Sequence, residues 1–348
     1  MSASASSLIN CPTFQAELEA NWKNCHTVRE PLPILEFLYS PANRQPIVSQ
    51  VSMGGKIKTI ELRYDQRILE SAVSSNQPNP TCAASTKRAD KSSTYTIDPN
   101  VNLQIEETFD LMDLVRICRD NGTFMTQTVQ RLIDALMRKV ASVTATQSVA
   151  LAGAWSADTT VNASSEFELS TLRSGTTDEL APFGMENLNM ALMESGYCDQ
   201  TVLIGGKTLY QYMRRMQLGC CAQYGNDLSA IWNQYGLATM WDRRMQTAFG
   251  TADKTLAIQS GALQIITFNA FEGVEGINMF NDSAYKQMVI NDPMTGFPID
   301  MVFNYDCGKV QIILTATHKV IALPLDLAAA GDVFRNVNYV GKIKVVNS

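Results

Sequence analysis

The residues with the most evident chemical potential lie in Thr201-Val-Leu-Ile-Gly-Gly-Lys207-Thr208-Leu, where an apolar run precedes Gly-Lys-Thr and a periodic segment follows. A phosphate-binding loop wraps its amides around the anion and needs a further glycine five positions before Gly206. Thr201 holds that position, inside the predicted strand, so Gly205-Gly206 reads as a tight strand-to-helix turn instead. The two histidines bring no ligand partner: His26 follows Cys25, and His318 sits beside Lys319 between two predicted strands. Cys220 and Cys221 are adjacent rather than spaced as CxxC, so metal-site spacing is missing, and no local signature supports a Cys/His nucleophile pair. Asp110 and Asp113 beside Glu106-Glu107 could hold a cation, but without the glycine pattern of a calcium loop they read as solvated charge at a strand-to-helix transition. The expectation is a protein that is not an enzyme, with no catalytic residues, no metal and no cofactor.

Composition points the same way. A length of 348 residues suggests two or three domains sharing a substantial core. Charged residues make up 18%, below the roughly 25% usual for soluble proteins, and a surface so poor in charge suggests an assembly. The 28 Lys and Arg against 34 Asp and Glu give a net charge of −6, which disfavours a protein devoted to neutralising nucleic-acid phosphates and leaves room only for a local basic patch. Cys11, Cys25, Cys82, Cys118, Cys198, Cys220, Cys221 and Cys307 are scattered through the chain, unlike a dense disulfide framework, and are expected to be reduced. Met1 to Ser7 is Ser/Ala-rich, without a basic stretch and apolar run, so neither a signal peptide nor a membrane span is expected, and the origin reads as soluble and intracellular.

Eight of the twelve prolines fall in the first hundred residues, so the front of the chain reads as extended and the middle as able to be helical. Pro12 with Phe14, Leu18 and Trp22 predicts one short amphipathic helix; Pro31, Pro33, Pro41 and Pro46 then predict extended chain. From Lys56, Ile60, Leu62, Tyr64 and Ile68 alternate with Glu61, Arg63, Asp65 and Arg67, a strand pattern. A second alternating run, Val101, Leu103 and Ile105, is its expected hairpin partner, across a polar tip holding Lys87, Arg88 and Lys91. A tip of that length is functional or disordered in most proteins. The strand and tip residues Ile60, Glu61, Leu62, Arg63, Tyr64, Asp65, Arg67, Lys87, Arg88 and Lys91 are the candidate subunit interface, because alternating charge can pair with another surface and reject wrong registers.

Met125, Val129, Leu132, Ile133, Leu136, Met137, Val140 and Val143 follow steps of three and four and predict a helix from about Phe124 to Leu151, roughly 40 Å long. After a polar passage from Ser156 to Thr177, Met185, Leu188, Ala191 and Leu192 predict a helix closing at Gly196. A mixed α/β unit follows, with a strand at Thr201 to Ile204 and a helical face of Leu209, Tyr212, Met213 and Met216, then a strand at Leu263 to Phe268. Ile299 to Tyr305, Val310 to Thr315 and Val320 to Leu323 predict a closing meander.

This order, together with the passages Asp292-Pro-Met-Thr-Gly296-Phe-Pro-Ile-Asp300 and Leu323-Pro324-Leu-Asp326, resembles the tailed-phage major capsid proteins of the Hong Kong 97 type fold. The resemblance implies an α+β class, with N-arm, extended β-hairpin loop, long spine helix and axial α/β domain. In those terms residues 1–50 are the N-terminal arm, 51–107 the extended loop, 108–181 the peripheral domain with the spine helix, 182–276 the axial domain, and 277–348 the return to the peripheral domain. It also implies a structural protein that self-assembles into pentamers and hexamers of an icosahedral bacteriophage head, enclosing double-stranded DNA. Its partners would be copies of itself, with scaffolding, portal and decoration proteins in various members, and no membrane. Its place would be the virion, after assembly in the host cytoplasm. Some members join a loop Lys to an Asn of another subunit, for which Lys87 or Lys91 would be the donor.

The residues agree with that expectation, since a hairpin bearing Ile60, Leu62 and Tyr64 needs another surface to cover it. The acidic balance suits a wall that confines DNA without adhering to it. Two other readings compete: an encapsulin-like compartment shell holding a cargo enzyme, and a cytosolic α/β enzyme using the Gly206-Lys207-Thr208 turn or a cysteine.

Overall fold

The computed structural model describes residues 30–41, 43, 49–52, 58–64, 91–97, 102–110, 123–155, 164–170, 182–194, 197, 201–212, 237–269, 285–306, 309–322 and 339–346. Their elements begin with α1 (Pro33–Tyr39), β1 (Ser49–Ser52), β2 (Lys58–Tyr64), β3 (Lys91–Ile97), β4 (Leu103–Asp110) and the long helix α2 (Thr123–Ala150). Then come β5 (Phe167–Ser170), α3 (Pro182–Glu194), β6 (Thr201–Gly205), α4 (207–212), β7 (Leu237–Trp241), α5 (Arg243–Phe249) and β8 (Lys254–Gln259). The last are β9 (Leu263–Phe268), β10 (Tyr285–Asn291), β11 (Pro298–Asp306), β12 (Lys309–Ala322) and β13 (Val340–Val346). The chain divides into two compact units. One gathers Met1–Asn43, Asp98–Gln147 and Ile265–Val320; the other gathers Arg44–Ile97, Ser148–Gln264 and Ile321–Ser348.

The first unit is a helix laid on a sheet. The sheet runs β10-β11-β12-β4, and β9 also pairs with β12. Val129, Leu132, Ile133, Leu136, Met137, Val140 and Ala141 recur on one stripe of α2 and are buried with Met288, Ile290, Ile299, Met301, Phe303, Val310, Ile312 and Leu314. The strands meet that stripe through their period of two: β4 turns Leu103, Ile105 and Phe109 toward this core and exposes Gln104, Glu106, Thr108 and Asp110. Leu32 and Leu35 add the start of α1 to the same cluster.

The second unit holds a mixed sheet in the order β5-β13-β8-β6-β7, with β6-β7 and β13-β5 parallel and the other pairs antiparallel. Trp155 anchors an aromatic cluster here, tilted against Phe167 at 5.7 Å and stacked on Tyr197 at 6.4 Å, with Tyr339 edge-on to Tyr197 at 5.3 Å. The Trp155 Nε1–H donates to the Lys342 carbonyl at 2.8 Å and fixes the ring in place. Gly341 lies directly beneath it, and a Cβ there would fall inside the ring. Burial, with Tyr339 alongside, pushes the Tyr197 phenol well above its ordinary pKa, so the cluster is uncharged.

Several sequence expectations need correction. The hairpin partner of β2 is β3, not the Val101-Leu103-Ile105 run, which becomes β4 and pairs with β12. The apolar face of β4 is used by the core, whereas β3, Lys91-Ser-Ser-Thr-Tyr-Thr-Ile97, is rich in β-formers yet lacks apolar alternation. Pro33 does not keep the chain extended; it opens α1 at the first helical position, where its missing N–H costs nothing. The two last predicted strands are one, β12, because Thr317 and His318 interrupt the alternation but are themselves buried. β5 lies within the passage read as polar, and β7, β8, β10 and β13 were not anticipated. The predicted Phe14-Leu18-Trp22 helix lies outside the described residues.

The packing at Gly341 generates a test. Gly341→Ala forces the Trp155 ring off its hydrogen bond and is expected to cost about 1–3 kcal/mol, as overpacking does. Urea unfolding reads this directly, and an unchanged midpoint would show that the ring has room to move.

Candidate assembly surface

The predicted interface strand is the centre of a three-stranded antiparallel sheet, β1-β2-β3. Register sets Ile60 between Val51 and Tyr95, Leu62 between Ser49 and Ser93, and Glu61 between Gln50 and Thr94. Arg63 stands opposite Ser92, and Tyr64 opposite Lys91. Ile60, Glu61, Leu62, Arg63 and Tyr64 are thus brought together on one strand, with Lys91 at the start of its neighbour. Asp65, Arg67, Lys87 and Arg88 lie outside the described residues. Because a strand alternates faces, Ile60 and Leu62 take positions on the same face as Val51 and Tyr95, and Glu61 and Arg63 take the other with Gln50 and Thr94. Among the described residues this sheet pairs with neither of the other two. Three short strands are stable only when an apolar face is covered.

The tempting Gly-Lys-Thr turn sits between β6 and α4. Its backbone is already committed: Thr208 N–H donates to the Ala252 carbonyl at 3.3 Å, and the Gly205 carbonyl accepts from Asp242 N–H at 3.0 Å. Asp242 caps α5, its Oδ1 accepting from Arg244 N–H at 2.9 Å and from the Arg244 guanidinium at 3.2 Å. A Cβ on Gly206 would stand 3.1 Å from the Gln246 Cβ, and one on Gly205 would collide with the Thr255 hydroxyl. The glycines let α5 and β8 close over the turn, which fills the space a phosphate would need.

His318 lies inside β12. Its Nε2 is 3.3 Å from the Thr144 hydroxyl of α2, and Phe297 meets its ring edge-on at 5.9 Å. Burial lowers its pKa to about 4, so it is a neutral core residue. Glu106 and Glu107 point to opposite faces of β4, and among the described residues no three His, Cys, Asp or Glu converge as metal ligands.

Two exposed apolar features escaped the sequence reading. Met190 and Met193 stand out from α3, and Tyr210 of α4 pairs with Trp241 of β7 at 6.3 Å, both half-exposed. The signal for the second was present: Asp242 is an N-cap and Gly250 a left-handed C-cap, which bracket α5 and so mark Leu237–Trp241 as the strand before it.

No protein-family model matches the sequence, and no curated protein does. Among solved structures, the cyanophage A-1(L) capsid asymmetric unit superposes with a TM-score of 0.55 at 13% identity, over 93% of this chain and 95% of that one. The chain has the fold of a phage capsid protein. A chain of Mycobacterium phage Bobi is also similar, at a TM-score of 0.44, 13% identity and 93% coverage of both chains. The capsid of an empty GTA particle is another, at a TM-score of 0.42, 12% identity, and coverage of 92% and 100%.

The buried His318 makes this fold acid-sensitive with a defined sign. Its folded pKa of about 4 lies below the ordinary 6.5, so its stability is intact above pH 6.5 and is lost as pH falls toward 4. At pH 4.5 the loss is about 2–3 kcal/mol relative to pH 7. His318→Gln is expected to flatten that part of the profile in urea titrations. A variant with the wild-type slope between pH 6.5 and 4 would assign the sensitivity to other groups.

Proposed function

We propose that the chain is the major capsid protein of a tailed phage, a shell subunit that self-assembles into the pentamers and hexamers of an icosahedral head enclosing double-stranded DNA. The observation that carries this reading is the agreement with the cyanophage A-1(L) capsid asymmetric unit over nearly the whole chain. In this reading residues 1–50 form the N-terminal arm. β1, β2 and β3 belong to the extended loop, and α2 is the spine helix. The sheet β10-β11-β12-β4 belongs to the peripheral domain, and the stretch from α3 to β9 to the axial domain. The protein then resides in the virion after assembly in the host cytoplasm, with its own copies as the principal partners and scaffolding, portal and decoration proteins as further ones.

The physics of the β1-β2-β3 sheet supports a shell. Its Ile60, Leu62 and Tyr95 positions need cover, and a sister subunit supplies it. At roughly 25 cal/mol per Å2, a few hundred Å2 of apolar burial gives several kcal/mol per contact before ordering costs. Multiplied around a closed lattice, such contacts become hard to reverse. The net charge of −6 lets the wall confine DNA with little adhesion overall.

Electron microscopy of the purified full chain tests the reading: closed shells of uniform diameter are expected, with nuclease-protected DNA in particles from infected cells. Compact monomers under all assembly conditions would overturn it, and shells filled with an enzyme would make it a compartment. The interface is tested by exchanging charges, Glu61→Arg with Arg63→Glu. The exchanged chain is expected to keep its melting temperature and lose shell formation. Normal shells from it would remove β2 from the interface.

A further inference from the structure

The exposed side of α2 has a charge opposite to that of the chain. Gln127, Arg131, Arg138, Lys139 and Thr146 are exposed there, with Asp134, Ala135 and Ser142 partly so. At about 100° per residue these positions fall in one arc, opposite the apolar stripe that packs on the sheet. The arc carries three cations and one carboxylate, and that carboxylate, Asp134, is paired with Arg138 at 2.9 Å. The Arg131 guanidinium donates to the Thr128 hydroxyl at 3.3 Å and holds its side chain along the helix. On the far side of the same core, β4 exposes Glu106 and Asp110, with Lys309 in register with Asp110. The outer arc of α2 is therefore net basic, in a chain whose sum is −6.

We propose that the exposed face of α2 is the surface on which duplex DNA rests, with Arg131, Arg138 and Lys139 on phosphates and Gln127 as an uncharged donor at one end; the Thr146 hydroxyl, which donates to the Ser142 carbonyl at 3.1 Å, marks the other end of the arc. This rests on the reading of the chain as a DNA-enclosing shell subunit and adds which face meets the genome. From Gln127 to Thr146 the helix rises about 28 Å, most of one turn of duplex at about 34 Å. Sequence-independent contact requires this chemistry, cations and hydroxyl or amide donors without base-reading geometry. A peptide partner is disfavoured, because an amphipathic helix docks through apolar anchors, and among the exposed and partly exposed positions of this arc from Gln127 to Thr146 only Ala135 is apolar. The acidic remainder of the chain keeps the contact local, so the duplex is located without being held fast.

The test measures binding of a fluorescent 30-base-pair duplex to the dispersed full-length chain across a salt series. Wild type is expected to bind at low salt, and Arg131→Gln, Arg138→Gln and Lys139→Gln together to weaken binding about tenfold or more. Each phosphate contact removed should lower the log–log salt slope by about 0.9. A control with the same charge loss elsewhere, Lys207→Gln, Arg243→Gln and Lys309→Gln, is expected to keep the wild-type slope. The charge-conserving set Arg131→Lys, Arg138→Lys and Lys139→Arg should retain binding, which separates charge from any effect on the helix. Equal losses in the Gln set and the control, no duplex binding by wild type, or tighter retention of polyglutamate than of duplex would each overturn the proposal. Microscopy of the same samples keeps the two readings apart. DNA-filled shells from the Gln set with an unaltered salt slope defeat this inference alone, whereas a wild type that never forms shells defeats the shell reading while the slope still reports on α2.

Discussion

The burial of one stripe of α2 against the sheet β10-β11-β12-β4 is the interaction on which the first unit depends. A 28-residue helix isolated in water has little stability beyond its own propensity. Here Val129, Ile133, Met137 and Val140 are each fully buried in one cluster with Ile312, Leu314, Met301 and Phe303 of the strands. Each such side chain contributes on the order of 1.5–3 kcal/mol, so the stripe outweighs any single polar contact in the unit. Two polar contacts tie this helix to β12: Gln147 accepts from Val320 N–H at 2.8 Å, and Thr144 meets His318.

Several of the chain's chemistry-bearing residue types hold structural positions. Asp242 caps a helix, the Gly205-Gly206 pair lets two elements close on one another, and His318 fills a core site. Asp292 is fully buried, its carboxylate accepting from the Thr295 amide at 3.0 Å and from the Thr295 hydroxyl at 2.5 Å; Gly296 completes that turn with a positive φ. Each of these groups is spent on shaping the backbone. The described surface offers the sheet around β2, the outer arc of α2, and the exposed apolar side chains Met190, Met193, Tyr210 and Trp241.

Legibility in the sequence followed burial on one side. α2 was readable to within a residue at each end because half of it faces a core and half faces water, whereas β6 was readable as a short apolar run buried along its whole length. β3 was not, because Ser, Thr and Lys dominate a strand whose partner is set by backbone pairing and not by an apolar face. β12 was split in two because a buried Thr-His step looks polar in sequence and is neutral in place. The candidate interface was legible as a strand with an unusual charge alternation, yet its true partners, β1 and β3, required the register. The basic arc of α2 was invisible to a reading of net charge, since it appears only once the helix is seated and its outward side is known.

The order β5-β13-β8-β6-β7 places Val340–Val346 inside the second sheet, joined to β5 on one side and β8 on the other. A chain cut short before Val340 therefore leaves this sheet divided, with β5 lacking its strand partner and β8 open along one edge.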